Sequence, residues 1–134
     1  MLELTLSLPF MIFLLIGGAD LARAFALQLA VQNGARAGAE AAAIDQAPTA
    51  TMAEARARDE MGRTPGMDAA NATITVAFKQ DGGLLDCVNP PTVLLPCFVT
   101  VRVQYTFETI VAWPLIPNVA NFDRSTTMRT IKAP

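Results

Sequence analysis

The chain has 134 residues, which suits one small domain together with one long secondary-structure element. Its formal net charge of -2 lacks the strongly basic balance of nucleic-acid-binding domains, so we expect no nucleic-acid partner. The absence of histidine removes the commonest general base and the commonest metal ligand. The hydrophobic fraction of 52% is high for a soluble protein of this size, and the excess lies in the first third of the chain.

An apolar helix is predicted at the front of the chain, from Leu2 to Val31. Its first part, Leu4 to Ala19, is apolar on all sides and reaches about 24 Å, slightly less than a bilayer core of about 30 Å. Extension to Val31 supplies the missing length but places the charged residues Asp20 and Arg23 in the span. We interpret it as a segment that waits in a membrane and later packs against copies of itself.

Several residues of this helix are unusual for a simple anchor. Glu3 is costly in an apolar surround unless a charge meets it, and the α-amino group of another copy would be a suitable partner. Pro9 and the Gly17–Gly18 pair weaken the helix, so at least one of these regions should depart from regular helix in the assembled state. Asp20 and Arg23 are interpreted as a helix-stabilising ion pair, with a proton relay as the alternative.

The helix becomes amphipathic from Ala24 to Ile44. Gly34 and Gly38 form a small-x-x-x-small pair among alanines, and small side chains at this spacing let another helix approach closely. We expect that contact to be with another copy of the chain; the alternative is that the helix lies on its own domain. A second, short helix is predicted over residues 52–62, with Thr49 or Thr51 as its N-cap and Glu54 as a capping-box partner of Thr51.

The back half of the chain alternates apolar and polar residues, which is typical of half-buried antiparallel strands. Strands are predicted at Ala72–Phe78, Phe98–Thr109 and Ser125–Lys132, with a proline-containing loop after Trp113. The predicted fold class is therefore α+β, with a long N-terminal α-helix (residues 1–44) and a small antiparallel β-sheet domain (residues 45–134) that includes the short helix. The apolar face of the sheet needs a cover, and the lower part of the long helix is the available element.

Little in the sequence points to chemistry. Cys87 and Cys97 lie in a Pro- and Gly-rich stretch, where an exported chain would close a short loop with one disulfide; free thiols are the alternative. Asn71 begins an Asn-Ala-Thr sequon and is a candidate glycosylation site. Without histidine, and with Lys79 and Lys132 at strand ends, we find no catalytic set. We expect a non-enzymatic protein without cofactor or metal.

The first third of the chain resembles the TadE-like pseudopilins of bacterial tight-adherence systems, which belong to the type IV pilin-like group. The resemblance rests on an acid, an apolar run with an early Leu-Pro, a glycine, a second acid, a basic residue near an aromatic one, and an Asn-Gly-Ala-Arg-Ala segment. These are Glu3, Leu8, Pro9, Gly17, Asp20, Arg23, Phe25 and residues 33–37. The rest of the chain resembles the family only in general character, as a small β-rich part.

The resemblance implies a short basic leader that a prepilin peptidase removes, and anchoring of the helix in the inner membrane before the pilus assembly machinery acts. In that group the acid usually occupies the fifth mature position, whereas Glu3 is the third residue here. Either the numbered chain starts inside the mature protein, or Met1 is the mature terminus with a different offset.

We therefore expect a structural subunit that polymerises with identical subunits into an extracellular filament on the cell surface. The residues expected to serve assembly lie on the helix: Glu3, Pro9, Gly17, Gly18, Asp20, Arg23, Gly34 and Gly38. One alternative is a minor pseudopilin that primes or caps a pilus made of another subunit. Another is a membrane-anchored exported binding domain that does not polymerise.

Overall fold

A computed structural model describes residues 2–80, 83, 85–88, 90–113 and 117–134, with side chains from residue 4 onward at the N-terminus. Two helices precede a three-stranded sheet: α1 Leu2–Ile44, α2 Ala50–Gly62, a 3-10 turn Ala69–Asn71, β1 Thr73–Gln80, β2 Cys97–Glu108 and β3 Val119–Arg129. The predicted α+β class, with a long helix, a short helix and an antiparallel sheet, is confirmed.

The sheet has the order β1-β2-β3, and both pairings are antiparallel. In the central strand the side chains alternate as the sequence predicted, since Val99, Val101 and Val103 are fully buried whereas Arg102 and Gln104 are exposed. The third strand begins six residues before its predicted start at Ser125, because pairing with β2 extends β3 back to Val119. The inward side chains of that extension, Ala120 and Phe122, are only half-buried. The alternation of apolar and polar residues is weak in this part of the sequence.

The lower part of α1 covers the apolar face of the sheet, as predicted. Its core residues recur at helical spacing and are almost all small: Leu27, Ala30, Val31, Ala35, Ala39, Ala42 and Ala43. Near the end of α1, two backbone hydrogen bonds hold the segment that follows β3. The Ile131 N–H donates to the Ala43 carbonyl at 3.1 Å, and the Thr130 N–H donates to the Cys97 carbonyl at 2.8 Å. The strands therefore run alongside the helix, with the start of β2 near Ile44.

The second helix begins earlier than predicted because Thr49 is its N-cap. The Thr49 hydroxyl accepts the Met52 N–H at 3.2 Å, and the helix starts at Ala50. Glu54 accepts hydrogen bonds from Arg58 at 2.8 and 3.2 Å, so its predicted capping-box role with Thr51 is replaced by an i,i+4 ion pair. The helix buries one alanine-rich stripe against its neighbours: Ala53, Ala57 and Met61.

The position of this stripe shows that the partner predicted for Gly34 and Gly38 was wrong. A Cβ at Gly34 would lie 2.5 Å from the Met61 Cγ, and a Cβ at Gly38 would lie 2.7 Å from the Ala53 carbonyl oxygen. The close helix contact is real, but its partner is α2 of the same chain, and another copy cannot occupy that face while α2 lies on it. The alternative interpretation, packing on the chain's own domain, holds here.

The upper part of α1 is helical without interruption through Pro9, Gly17 and Gly18 in the isolated chain. The expected departure from regular helix concerns the assembled state and stays a prediction. The predicted disulfide between Cys87 and Cys97 is present, with their Cα atoms 5.3 Å apart, and it ties the loop after β1 to the start of β2.

Substitution of Gly38 tests the α1–α2 contact. We expect Gly38→Ala to lower the free energy of unfolding, because the overpacking cost of about 1–3 kcal/mol exceeds the gain of up to about 1 kcal/mol from the helix propensity of alanine. Gly62→Ala is the matched control, since nothing lies within 4 Å of a Cβ there, and it should be neutral or slightly stabilising. Urea unfolding in detergent, followed by circular dichroism, measures both; equal stability of the two variants would contradict the contact.

Candidate functional site

The upper half of α1 is an uncovered apolar surface. All its large apolar side chains from residue 4 to 16 are between 39% and 80% exposed: Leu4, Leu6, Leu8, Phe10, Met11, Ile12, Phe13, Leu14, Leu15 and Ile16. A soluble monomer rarely exposes a continuous apolar surface of this extent. Some other apolar phase or surface must therefore cover it.

By length and composition, this helix could cross a membrane. An 18-residue window within Leu4–Ile44 has a mean hydropathy of 1.9, and only 6% of it is buried inside the molecule. A buried core helix would have most of that window covered by the chain itself, so this explanation does not apply. The segment has the properties of a membrane anchor or of a signal near an N-terminus.

The apolar surface continues for two turns onto the folded body. Leu21, Phe25 and Leu29 follow one another at every fourth position and are 62%, 61% and 55% exposed. Residues at this spacing share one face of a helix, and the rest of the chain leaves this face largely uncovered. Below it the exposed positions become polar, with Gln32, and then Arg36 further down.

Asp20 marks the junction between the uncovered and the covered parts of the helix. Its carboxylate is buried, with 4% of the residue exposed, and it accepts hydrogen bonds from three different residues. The Ile110 N–H donates to it at 3.1 and 3.2 Å, the Trp113 indole N–H at 3.3 Å, and Arg23 at 3.0 Å. The loop after β2 is therefore fastened to the helix by one side chain.

Trp113 is held against the apolar helix above Asp20. Its ring meets that of Phe13 edge-on, with 4.6 Å between centroids, and a Cβ at Gly17 would lie 3.2 Å from the indole. Gly17 thus provides room for the tryptophan, whereas a Cβ at Gly18 would meet nothing within 4 Å. Besides its indole bond to Asp20, Trp113 donates its backbone N–H to the Asn118 side-chain oxygen at 2.6 Å.

Arg23 completes the junction. It forms the predicted i,i+3 ion pair with Asp20, and its guanidinium lies 5.5 Å from the centre of the Phe107 ring near the end of β2. A cation over an aromatic face is attracted by the ring quadrupole, so Arg23 joins helix and sheet at this level. An apolar groove of about 360 Å³ opens beside the pair, between Leu21, Ala24 and the aromatic side chains of the sheet end.

The structure brings together only some of the predicted assembly residues. Gly17, Asp20 and Arg23 meet at this junction, Pro9 lies on the uncovered helix, and the two lower glycines belong to the α1–α2 contact. The side chain of Glu3 lies outside the described residues.

Sequence reasoning missed Ile110, Trp113 and Asn118, which complete the junction. The one feature of the sequence that could have indicated them is an uncharged loop containing the sole tryptophan of the chain. In the described part of the chain, no group of three or more His, Cys, Asp or Glu residues could hold a metal ion. Asn71 is exposed, its side-chain amide donates to Asp68 at 2.9 Å, and its glycosylation stays a prediction.

A long apolar helix whose lower half is built into a small sheet domain is the architecture expected of a pilin-like component. The sequence model of the TadE-like protein family matches residues 1–40, which confirms the predicted resemblance over this part of the chain. Comparisons with curated proteins and with solved structures gave no match. The family match thus covers the uncovered helix with Asp20 and Arg23, whereas the loop residues that bond to Asp20, the sheet and the disulfide lie beyond it.

Replacement of Asp20 by alanine should release the loop from the helix. The Ile110 N–H and the Trp113 indole N–H would lose their common acceptor, and unpaired buried donors are costly. We expect thermal unfolding in detergent to begin several degrees lower, and acrylamide to quench Trp113 fluorescence more strongly.

Asp59→Ala is the control for this variant. It removes an aspartate whose ion pairs with Arg56 and Arg63 are exposed, and exposed pairs contribute little to stability. Unchanged quenching and unfolding in Asp20→Ala would show that the aspartate does not hold the loop.

Proposed function

We propose that this chain is a structural pilin-like subunit that polymerises with identical subunits into an extracellular filament through α1. The observation that carries the proposal is the uncovered apolar upper half of α1, which lies within the region matched by the TadE-like family. In a bilayer this surface is covered by lipid, and outside the bilayer it needs an equally apolar cover. The corresponding helices of neighbouring subunits would supply one.

The proposal gives the chain two successive environments. Before assembly, α1 anchors the chain in the inner membrane; after action of a prepilin peptidase and the pilus assembly machinery, the same helix lies in a filament core. The sheet domain, fixed to the lower half of α1, would then coat the outside. Its disulfide between Cys87 and Cys97 suits an oxidising location of this kind.

The exposed stripe of Leu21, Phe25 and Leu29 supports packing between subunits rather than anchoring alone. An anchor needs an apolar surface only within the bilayer, whereas this stripe lies below the charged junction at Asp20. A contact between two different surfaces of identical subunits generates an open helical polymer when the rotation does not close. With α2 on the glycine face, this exposed apolar stripe is available on the lower helix for such a contact.

The direct test is microscopy of fibres sheared from cells that express the chain, combined with peptide mass spectrometry. Fibres in which this chain is the major component support the proposal. If the chain is present only in trace amounts in fibres made of another subunit, it primes or caps a pilus as a minor pseudopilin. If the chain stays with the membrane and no fibre contains it, it is an anchored domain that does not polymerise.

The charge at Glu3 provides a sharper prediction. An acid in an apolar surround is neutralised by a partner charge, for which the α-amino group of a neighbouring copy is suited. We expect Glu3→Ala to leave the chain in the membrane fraction but to reduce the number of filaments per cell strongly.

Glu40→Ala is the matched control, since Glu40 is an exposed acid on the same helix. It should leave filament number unchanged when fibres are counted by electron microscopy. Normal filaments from the Glu3 variant would refute the role of this charge in subunit registration.

A further inference from the structure

The loop between β2 and β3 lies beside the part of α1 that the proposed function places in the membrane. Trp113 contacts Phe13 and faces Gly17. Phe13 precedes Asp20 by seven residues, which corresponds to about 10 Å along a helix. A bilayer that covers the apolar helix up to Asp20 must therefore meet this loop.

The composition of the loop suits such an environment. From Thr109 to Asn118 the sequence contains no charged residue. Among the described residues of the loop, Ile110 is 69% exposed and Val111 is 36% exposed, and neither side chain belongs to the core. Tryptophan is enriched where membrane and water meet, because its ring is apolar and its N–H is polar.

Three N–H groups in the described part of the loop are paired within the chain. Asp20 accepts the N–H of Ile110 and the indole N–H of Trp113, and Asn118 accepts the backbone N–H of Trp113. Backbone donors that leave water need internal partners, since lipid offers none. These three bonds let the loop enter an apolar phase without exposing these donors to it.

We propose that this loop is a second membrane-contacting element, which places Ile110, Val111 and Trp113 at the boundary between lipid headgroups and acyl chains beside α1. The inference rests on the proposed function in one respect, that α1 is anchored in a membrane before assembly. The loop then fixes the tilt and depth of the sheet domain relative to the bilayer. The competing occupant of the same surface is the helix of a neighbouring copy.

Trp113 reports on this contact directly because it is the only tryptophan in the chain. The full chain is reconstituted at a low protein-to-lipid ratio in vesicles of phosphatidylcholine and phosphatidylglycerol that carry bromine either near the headgroup or near the acyl-chain end. Since interfacial elements lie about 5–10 Å into the headgroup–acyl boundary, we expect shallow bromine to quench Trp113 about twice as strongly as deep bromine. Acrylamide in the water should quench it only weakly.

A pair of matched double variants separates the loop from the rest of the chain. Ile110→Ser with Val111→Ser removes exposed apolar side chains but keeps the backbone bonds, so we expect about half of the quenching by shallow bromine to be lost. Val93→Ser with Leu94→Ser is the control. These side chains are 86% and 91% exposed on the loop before β2, at the opposite end of the sheet, and quenching should not change. Circular dichroism checks that both variants are folded.

Flotation of the vesicles distinguishes failure of this inference from failure of the proposed function. If the chain floats with the vesicles but acrylamide quenches Trp113 freely and bromine does not, the loop lies in water and the inference is overturned while anchoring stands. If the chain does not float, anchoring fails and the inference fails with it. If Trp113 is shielded only in assembled fibres, a neighbouring copy covers the loop, which also overturns the inference.

Discussion

A mismatch in length between helix and sheet determines the rest of this structure. The 43 residues of α1 extend about 65 Å, whereas the 12 residues of the longest strand, β2, extend about 40 Å. Roughly 25 Å of helix therefore has no sheet to lie on, a length that matches the all-apolar stretch from Leu4 to Ala19. The uncovered surface follows from this geometry, and the chain places its buried charge, Asp20, where the cover ends.

The two ends of the sheet are joined to the helix in different ways. At the far end, backbone bonds near Ala43 and the Cys87–Cys97 bridge hold the strands, and the packing is dominated by small side chains. At the end facing the uncovered helix, Asp20 accepts hydrogen bonds from the loop after β2, and Arg23 pairs with Asp20 and lies over the aromatic ring of Phe107. The charges of this junction are paired within the chain, which would suit the proposed transfer of α1 from a membrane to a filament.

Local patterns were sufficient to predict the elements, because helical and strand periods are properties of neighbouring residues. The Cys87–Cys97 bridge was predicted for a similar reason, since the two residues are close in sequence. The partner of Gly34 and Gly38 was predicted incorrectly, because a small-residue spacing shows that a helix approaches closely but not which helix. The bond between Asp20 and Trp113 joins residues 93 positions apart, and no local pattern indicates such a contact.

The central claim is that Asp20 divides α1 into a part surrounded by lipid and a part that belongs to the folded body. Four single-cysteine variants test it: Leu6→Cys, Ile12→Cys, Gln32→Cys and Glu40→Cys. Because Cys87 and Cys97 are paired in the disulfide, only the introduced thiol should react with a label. In membranes with both faces accessible, a membrane-impermeant maleimide should label positions 32 and 40 and leave positions 6 and 12 unlabelled until detergent is added. Equal labelling at all four positions would contradict the account.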